Sequence, residues 1–289
     1  MKCEICPRKC GVDRNLSCGV CQSGKKIKLA KAIPLFWEEP IVSGTKGSGA
    51  IFFSGCNLKC CFCQNYQISH ENFGKEVSLT RFIEIMKELE NKGVHNINLV
   101  SPTHFSEQII DALNIYKPKI PVIWNSNGYE NITTLQRLKG LVDVYLVDMK
   151  FASNKLSGEF CKANDYVENN RAAINEMLAQ QPKVVINNGV ISRGVIIRHL
   201  VMPNCVLDSL NVLDYLASLH LHHDFLFSLM SQYTPCYHAK SMPKLNRSIT
   251  PLERKIVMKR AEELGLVGFC QDLDSASENF IPKFDLEGV

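Results

Sequence analysis

Residues 50–65 read AIFFSGCNLKCCFCQN. An apolar run ends at Gly55, and Cys56, Cys60, Cys61 and Cys63 follow within eight positions. The run AIFFS (50–54) is short, apolar and aromatic, which reads as a buried strand. Thiolates spaced C-x3-C-x2-C on a loop after a strand can converge on one soft metal centre. A structural zinc takes four protein ligands as a rule. Cys61 could formally be the fourth, giving a zinc knuckle. Adjacent cysteines point different ways, however, and using both would strain so tight a loop. Three ligands, Cys56, Cys60 and Cys63, would leave one iron of a cluster open for chemistry.

Beyond this stretch, strand and helix patterns alternate. SLTRFIEIMKELENKG (78–93) sets Leu79, Phe82, Ile83, Met86 and Leu89 on one helix face, with Gly93 closing it. NINLV (96–100), PVIWN (121–125), VDVYLVDMK (142–150), GVIIRHLV (194–201) and DFLFSLM (224–230) read as further strands, with VVIN (184–187) a strand-like lead-in to the fourth of these. Helical patterns lie between them at 107–116, 132–140, 165–180 and 207–219, and a last one at 249–265 has Pro251 in its first turn. Six strand–helix units predict a parallel sheet with right-handed crossovers. Eight would suggest a full barrel; six favour a partial (β/α)6-type, TIM-like barrel with its ligand at the C-terminal strand ends.

The 289 residues fit one large domain or two ordinary ones, and 45% hydrophobic with 21% charged residues is ordinary for a globular chain. A net charge of +4 gives no basic block for nucleic acid, so a nucleic-acid partner is not expected. No apolar run approaches a membrane span, and MKCEICPRKC is no signal peptide, so the expected location is the cytoplasm. Nine of the thirteen cysteines lie in the first 63 residues. In a reducing compartment such clustering points to metal ligands. Cys161, Cys205, Cys236 and Cys270 are dispersed and read as small buried apolar residues. Residues 1–25 are poor in apolar side chains, so a bound metal is their natural core. The expected division is a Cys-rich metal-binding segment at 1–25, a linker packing on the core at 26–49, and a core domain with a C-terminal helix at 50–289.

Cys56-x3-Cys60-Cys61-Phe62-Cys63 after the first strand resembles the signature of the radical S-adenosylmethionine (SAM) superfamily. The resemblance implies a [4Fe–4S] cluster on Cys56, Cys60 and Cys63, with SAM chelating the open iron. It further implies reductive cleavage to methionine and a 5′-deoxyadenosyl radical, and places Phe62 near the adenine. More widely, CPRKCGVDR (6–14), FWEEP (36–40), NINLVSPTH (96–104), NSNGYE (125–130), RHLVMP (198–203) and MSQYTP (230–235) resemble the PflX branch of pyruvate formate-lyase activating enzyme homologues. The activating enzymes carry a Gly-Gly-Glu type stretch that meets the SAM amino group; here Val100-Ser101-Pro102-Thr103-His104 stands in its place. Ser101 and Thr103 can exchange hydrogen bonds there. The departure counts against a glycyl-radical target.

Other strand ends supply candidates. Asn125, Ser126 and Asn127 resemble the Thr-Asn-Gly stretch of the activating enzymes and would meet ribose hydroxyls or substrate, against a plain Asn-Gly turn. Asp148 and Lys150 resemble their Asp-Leu-Lys segment and would position SAM or substrate near the radical, against a local ion pair. Arg198, among apolar neighbours, needs a partner because an unpaired buried charge is costly. The resemblance sends it to the ribose or carboxylate side of SAM; a structural salt bridge is the other reading. His199 faces the opposite side of that strand and reads as structural. Gln232 and Tyr233 would close the pocket or touch substrate, against plain turn residues; His104 would exchange a proton or meet an anionic substrate, against a packed structural histidine; and Glu38 and Glu39 line a cavity mouth or form a solvated turn.

The N-terminal cysteines run C-x2-C-x3-C-x7-C-x2-C. By the resemblance, Cys3, Cys6, Cys10 and Cys21 form a second site, with Cys18 at a position that is often glycine. The spacing does not choose between zinc and an auxiliary iron–sulfur cluster. The implied partners are a one-electron donor such as flavodoxin or ferredoxin, and a glycyl-radical protein as one target. Modification of a small molecule or another macromolecule, and a non-catalytic iron–sulfur or zinc protein, are the competing functions.

Overall fold

The computed structural model describes residues 2–271 and 282–289. Seven parallel strands follow one another across the sheet in chain order: β2 (Ser48–Phe53), β4 (Ile97–Val100), β5 (Val122–Ser126), β6 (Val144–Asp148), β8 (Val190–Leu200), β9 (Leu226–Met230) and β10 (Gly268–Cys270). Between them run the helices α3 (Leu79–Asn91), α4 (Ser106–Ile115), α5 (Ile132–Arg137), α6 (Asn154–Cys161), α7 (Tyr166–Gln180), α8 (Val206–His220) and α9 (Pro251–Glu263). This is a mixed α/β fold with a sheet curved as a partial barrel. The first six parallel strands are those the alternation predicts; the short β10 is an addition. No helix among the described residues is long and apolar enough to cross a membrane.

Residues 26–49, expected as a linker packing on the core, carry regular elements: β1 (Ile27–Leu35) pairs antiparallel with β2 and with β3 (Lys75–Val77), and α1 (Pro40–Ser43) follows. Lys28 and Lys31 break the apolar run and hide the strand in the sequence. Lys31 is nonetheless only 5% exposed. Its ammonium donates to the Lys283 carbonyl at 2.9 Å and pairs with Asp285 at 2.8 Å and Glu287 at 3.0 Å. The C-terminal residues thus cap the free part of the β1 edge, where Ala30 and Ala32 also exchange backbone hydrogen bonds with Leu286 and Glu287. Covering an edge in this way removes a template for unwanted pairing. The lead-in to β8 is β7 (Val185–Asn187), paired antiparallel with it as a hairpin.

Strand alternation sorts the side chains onto two faces. Trp124, Tyr145, Val147, Val195 and Ile197 join the large core under the helices, with Phe82, Met86 and Leu89 of α3. α3 begins where the Ser78 hydroxyl accepts from the Arg81 amide at 3.0 Å. On the concave face Ile123, Val144, Leu146 and Ile196 pack with Val42 of α1. Two residues further along each strand, that column turns polar: Asn125, Asp148 and Arg198. The C-terminal end of the barrel interior is therefore left to polar side chains and sulfur.

Candidate functional site

Gly55 turns the chain from β2 into the cysteine loop with φ +85°. The loop is pinned through its backbone. The Lys59 and Cys61 amides donate to the Cys161 and Phe160 carbonyls at 3.0 and 2.8 Å, and Ala239 N–H donates to Cys61 O at 2.9 Å. The Cys236 thiol donates to the Phe62 carbonyl at 3.1 Å.

Cys56, Cys60 and Cys63 line one cavity of ≈ 380 Å³ at the strand ends, together with Phe62, and Cys61 is not among its lining residues. Cys56 accepts from the Leu58 amide and from Asn127 Nδ2, both at 3.4 Å, and Cys63 lies 3.1 Å from the Ser69 hydroxyl. Donors around sulfur favour thiolates and tune a bound cluster. As thiols, Cys56 and Cys63 are pushed up by burial to about 11 and about 12, with Cys60 adding to both. Cys60 is drawn down, chiefly by a hydrogen bond with the buried Cys161 thiol. Cys161 thus touches the site, which its isolation in the sequence does not signal. Ligation requires a metal to displace these protons. Three sulfurs on one cavity, Cys60 buried and Cys56 and Cys63 partly so, with N–H and O–H donors behind them, fit a thiolate-held cluster. Among the described residues, no three His, Cys, Asp or Glu side chains are grouped to hold a single metal ion.

The opposite wall is an ion network. Arg198 donates through Nε to Asp148 at 2.8 Å, through one terminal nitrogen to Glu38 at 3.2 Å, and through the other to Asn125 Oδ1 at 2.7 Å. Lys150 Nζ holds the second Asp148 oxygen at 2.6 Å. Glu38 accepts in addition from Asn98 at 3.1 Å and Asn125 at 3.0 Å. Burial opposes ionisation of Asp148, but Arg198 and Lys150 outweigh it and hold the carboxyl below its ordinary range. Burial pushes the Glu38 carboxyl up, with Arg198 opposing. Register builds the pair directly, since Asp148 and Arg198 are Cα partners across β6 and β8.

The remaining candidates divide. Ser101, Ser126, Asn127, Gln232 and Tyr233 line the cavity. Phe62 sits edge-on to Phe151, ring centroids 6.4 Å apart, and 6.2 Å from Tyr233. Thr103 does not line it: its hydroxyl donates at 2.6 Å to buried Glu130, which Trp124 also meets at 3.1 Å. His104 is buried with Nε2 2.7 Å from Ser54 O, and His199 bridges Met149 O and Ser209. Glu38 lines the cavity, whereas its neighbour Glu39 is buried outside it.

Of the N-terminal cysteines, Cys3 lies near Cys10 and Cys6 near Cys21. A Cβ on Gly19 would stand 3.0 Å from Cys10 Sγ and 3.6 Å from Cys21 Sγ, so those two sulfurs flank the same small space. Cys18 is exposed. The segment is seated on the cysteine loop by Arg8, whose Nε donates to Asn57 O at 2.7 Å and whose guanidinium lies 5.3 Å from the Tyr129 ring centre.

Residues 50–202 match the family described as the Radical SAM superfamily. The chain is 33% identical over 275 residues to an uncharacterised protein of Methanocaldococcus jannaschii, covering 91% of this chain and 75% of that one. A radical SAM methyltransferase from Sphaerobacter thermophilus superposes with TM-score 0.52 at 14% identity, over 79% of this chain and 68% of its own. SuiB from Streptococcus suis superposes with TM-score 0.51 at 13% identity over 77% of this chain; the chain spans about half the length of SuiB. At such identities the likeness is one of fold. With half of the sequence matched to the family and nine-tenths of this chain aligned to a relative at 33% identity, the chain belongs to the radical SAM superfamily.

Proposed function

We propose that this chain is a radical SAM enzyme that cleaves SAM reductively in the cavity of Cys56, Cys60 and Cys63. The observation that carries it is the division of the four loop cysteines: three line one cavity and Cys61 stays outside. A [4Fe–4S] cluster on those thiolates, with SAM at the open iron, supplies on one-electron reduction the 5′-deoxyadenosyl radical that abstracts a hydrogen atom. Asn127, Leu58 and Ser69 steady the sulfurs. Phe62 offers an apolar face to the adenine, and Ser101 and Asn125 offer polar contacts to the rest of SAM. Arg198 already spends Nε and both terminal nitrogens on Asp148, Glu38 and Asn125. Its role in this reading is to set those groups, while Lys150 and the free lone pairs of Asp148 and Glu38 face the ligand.

Cys3, Cys6, Cys10 and Cys21 form a second metal site, zinc or iron–sulfur, within a metal-binding segment at 1–25. The similarity of FWEEP and MSQYTP to the PflX branch supports placement there, with a glycyl-radical protein or a small molecule as hydrogen donor and the cytoplasm as location. Anaerobic reconstitution, dithionite reduction and assay of 5′-deoxyadenosine test the central step. Cys60→Ala should lose both cluster absorbance and product, and Cys61→Ser should keep both. An intact cluster without product above background would leave an iron–sulfur protein and no enzyme.

A further inference from the structure

The outer side of the cysteine loop carries a cluster of rings that the cavity does not use. Cys63 Sγ meets Ser69 Oγ at 3.1 Å, and Ser69 Oγ meets His70 Nδ1 at 2.8 Å. The His70 ring lies 4.6 Å from that of Tyr237, which stacks on Tyr66 at 5.1 Å with the planes 15° apart. Tyr237 then touches the ring of exposed His238, with centroids 3.9 Å apart. From a cavity sulfur to the surface there are thus four short contacts. Tyr237 has φ +50°, a conformation that bulky residues seldom adopt, and it presents its ring to both His70 and Tyr66.

The charges around this patch are mainly basic. Lys59 donates to Ser69 O at 3.2 Å, and Lys59 and His238 both face the His70 ring. Exposed Lys162 follows the Cys161 carbonyl that holds the loop, and Arg8 donates to the Lys162 carbonyl. Lys244 pairs with Glu159 at 3.2 Å and remains 65% exposed. Arg8, Lys59, Lys162 and Lys244 stand against Glu71 and Glu159. A positive field of this kind steers an acidic partner.

We propose that the face made by Tyr66, His70, Tyr237 and His238 is the docking surface of a small acidic one-electron-donor protein. This rests on the reading that Cys63 holds a cluster. The step is a single electron transfer. The donor is oxidised by one electron, the cluster is reduced by one, and no bond forms or breaks.

The test uses the cluster-loaded full chain, reduced flavodoxin as the probe, and the double variant His238→Glu, Lys244→Glu. Stopped-flow bleaching of the cluster should slow about tenfold with flavodoxin, because charge changes at an interface rim act on the association rate. With dithionite, which needs no docking face, the rate should stay within about twofold. Titration calorimetry on the chain, which needs no cluster, should show about tenfold weaker flavodoxin binding in the variant, and raised salt should close the gap. Unchanged flavodoxin rate and affinity, or equal slowing with both reductants, would overturn the assignment. A wild-type cluster that dithionite itself cannot reduce would sink the underlying reading instead.

Discussion

Replacing Gly55 by alanine asks whether the N-terminal segment is truly seated on the cysteine loop. Gly55 has φ +85°, and a Cβ there would stand 2.5 Å from Ser23 Oγ, closer still to the Cys21 carbonyl oxygen, and 3.2 Å from His104 Nε2. A carbonyl cannot swing aside as a side chain can, so the backbone of residues 21–23 must move. Gly140 supplies the control: its φ is +81°, and a Cβ there meets nothing within 4 Å. Gly140→Ala should therefore cost only the left-handed backbone term, about 1–2 kcal/mol. Gly55→Ala carries the same term plus overpacking of about 1–3 kcal/mol, for a total of about 2–5 kcal/mol. Urea unfolding of both metal-free variants under reducing conditions measures the difference. A second readout is local, since Cys21 is only 8% exposed and should react faster with a thiol reagent once displaced. Two variants equal in stability, with Cys21 no more reactive in either, would refute the seating of the segment.

Asp148→Asn removes the negative charge that Arg198 and Lys150 share and turns one acceptor oxygen into an N–H donor, leaving two cations in a site where all three side chains are 12–16% exposed. Breaking such a pair costs about 3–5 kcal/mol, toward the lower figure here because Glu38 still holds Arg198. Since the Asp148 carboxyl is held below its ordinary range, its contribution is present above the unfolded value and lost as pH falls through the folded one. Denaturation midpoints measured downward from pH 5 should fall less steeply in the Asn variant than in the wild type. Glu130 runs the other way: burial pushes its carboxyl up to about 7. Its contribution is complete below the unfolded value and is lost as pH rises toward 7, by roughly 3 kcal/mol. Glu130→Gln should flatten that slope between pH 5 and 7, and an unaltered slope would mean that another group titrates there.

The strands were legible where their residues are apolar on both faces. Val144–Asp148 and Val122–Ser126 are buried throughout, as parallel strands covered on both sides must be, and up to Val147 and Trp124 they read as uninterrupted apolar runs. β1 was not legible, because two lysines interrupt it, and the buried one, Lys31, is neutralised by Asp285 and Glu287, about 250 residues later. α6 was hidden by its serine and glycine. Gly158 lies where a Cβ would meet the Asn164 side chain, a constraint set by the turn that follows and not by helix propensity. β10 has three residues, and among the described residues its partner is β9.

The site divides along the same line. Cys56, Cys60 and Cys63 are neighbours in sequence, so spacing alone can suggest a shared centre. The ion wall is assembled by topology: Glu38 meets Asn125 across 87 positions and Arg198 across 160. Nothing near FWEEP marks Glu38 over Glu39, yet only Glu38 lines the cavity. Strand alternation does anticipate Asn125, Asp148 and Arg198, each two residues beyond an inward apolar residue. The same rule carried past the end of β4 assigns Ser101 and Thr103 to one face, and there it fails. Ser101 has φ +58°, so the pleat ends at that residue, and the 3-10 turn Thr103–Phe105 carries Thr103 to Glu130. Periodicity places a side chain only while the backbone stays extended, so the residue after a left-handed one must be argued from its contacts. By that argument Ser101 stays with the cavity and Thr103 belongs to the buried carboxyl beneath it.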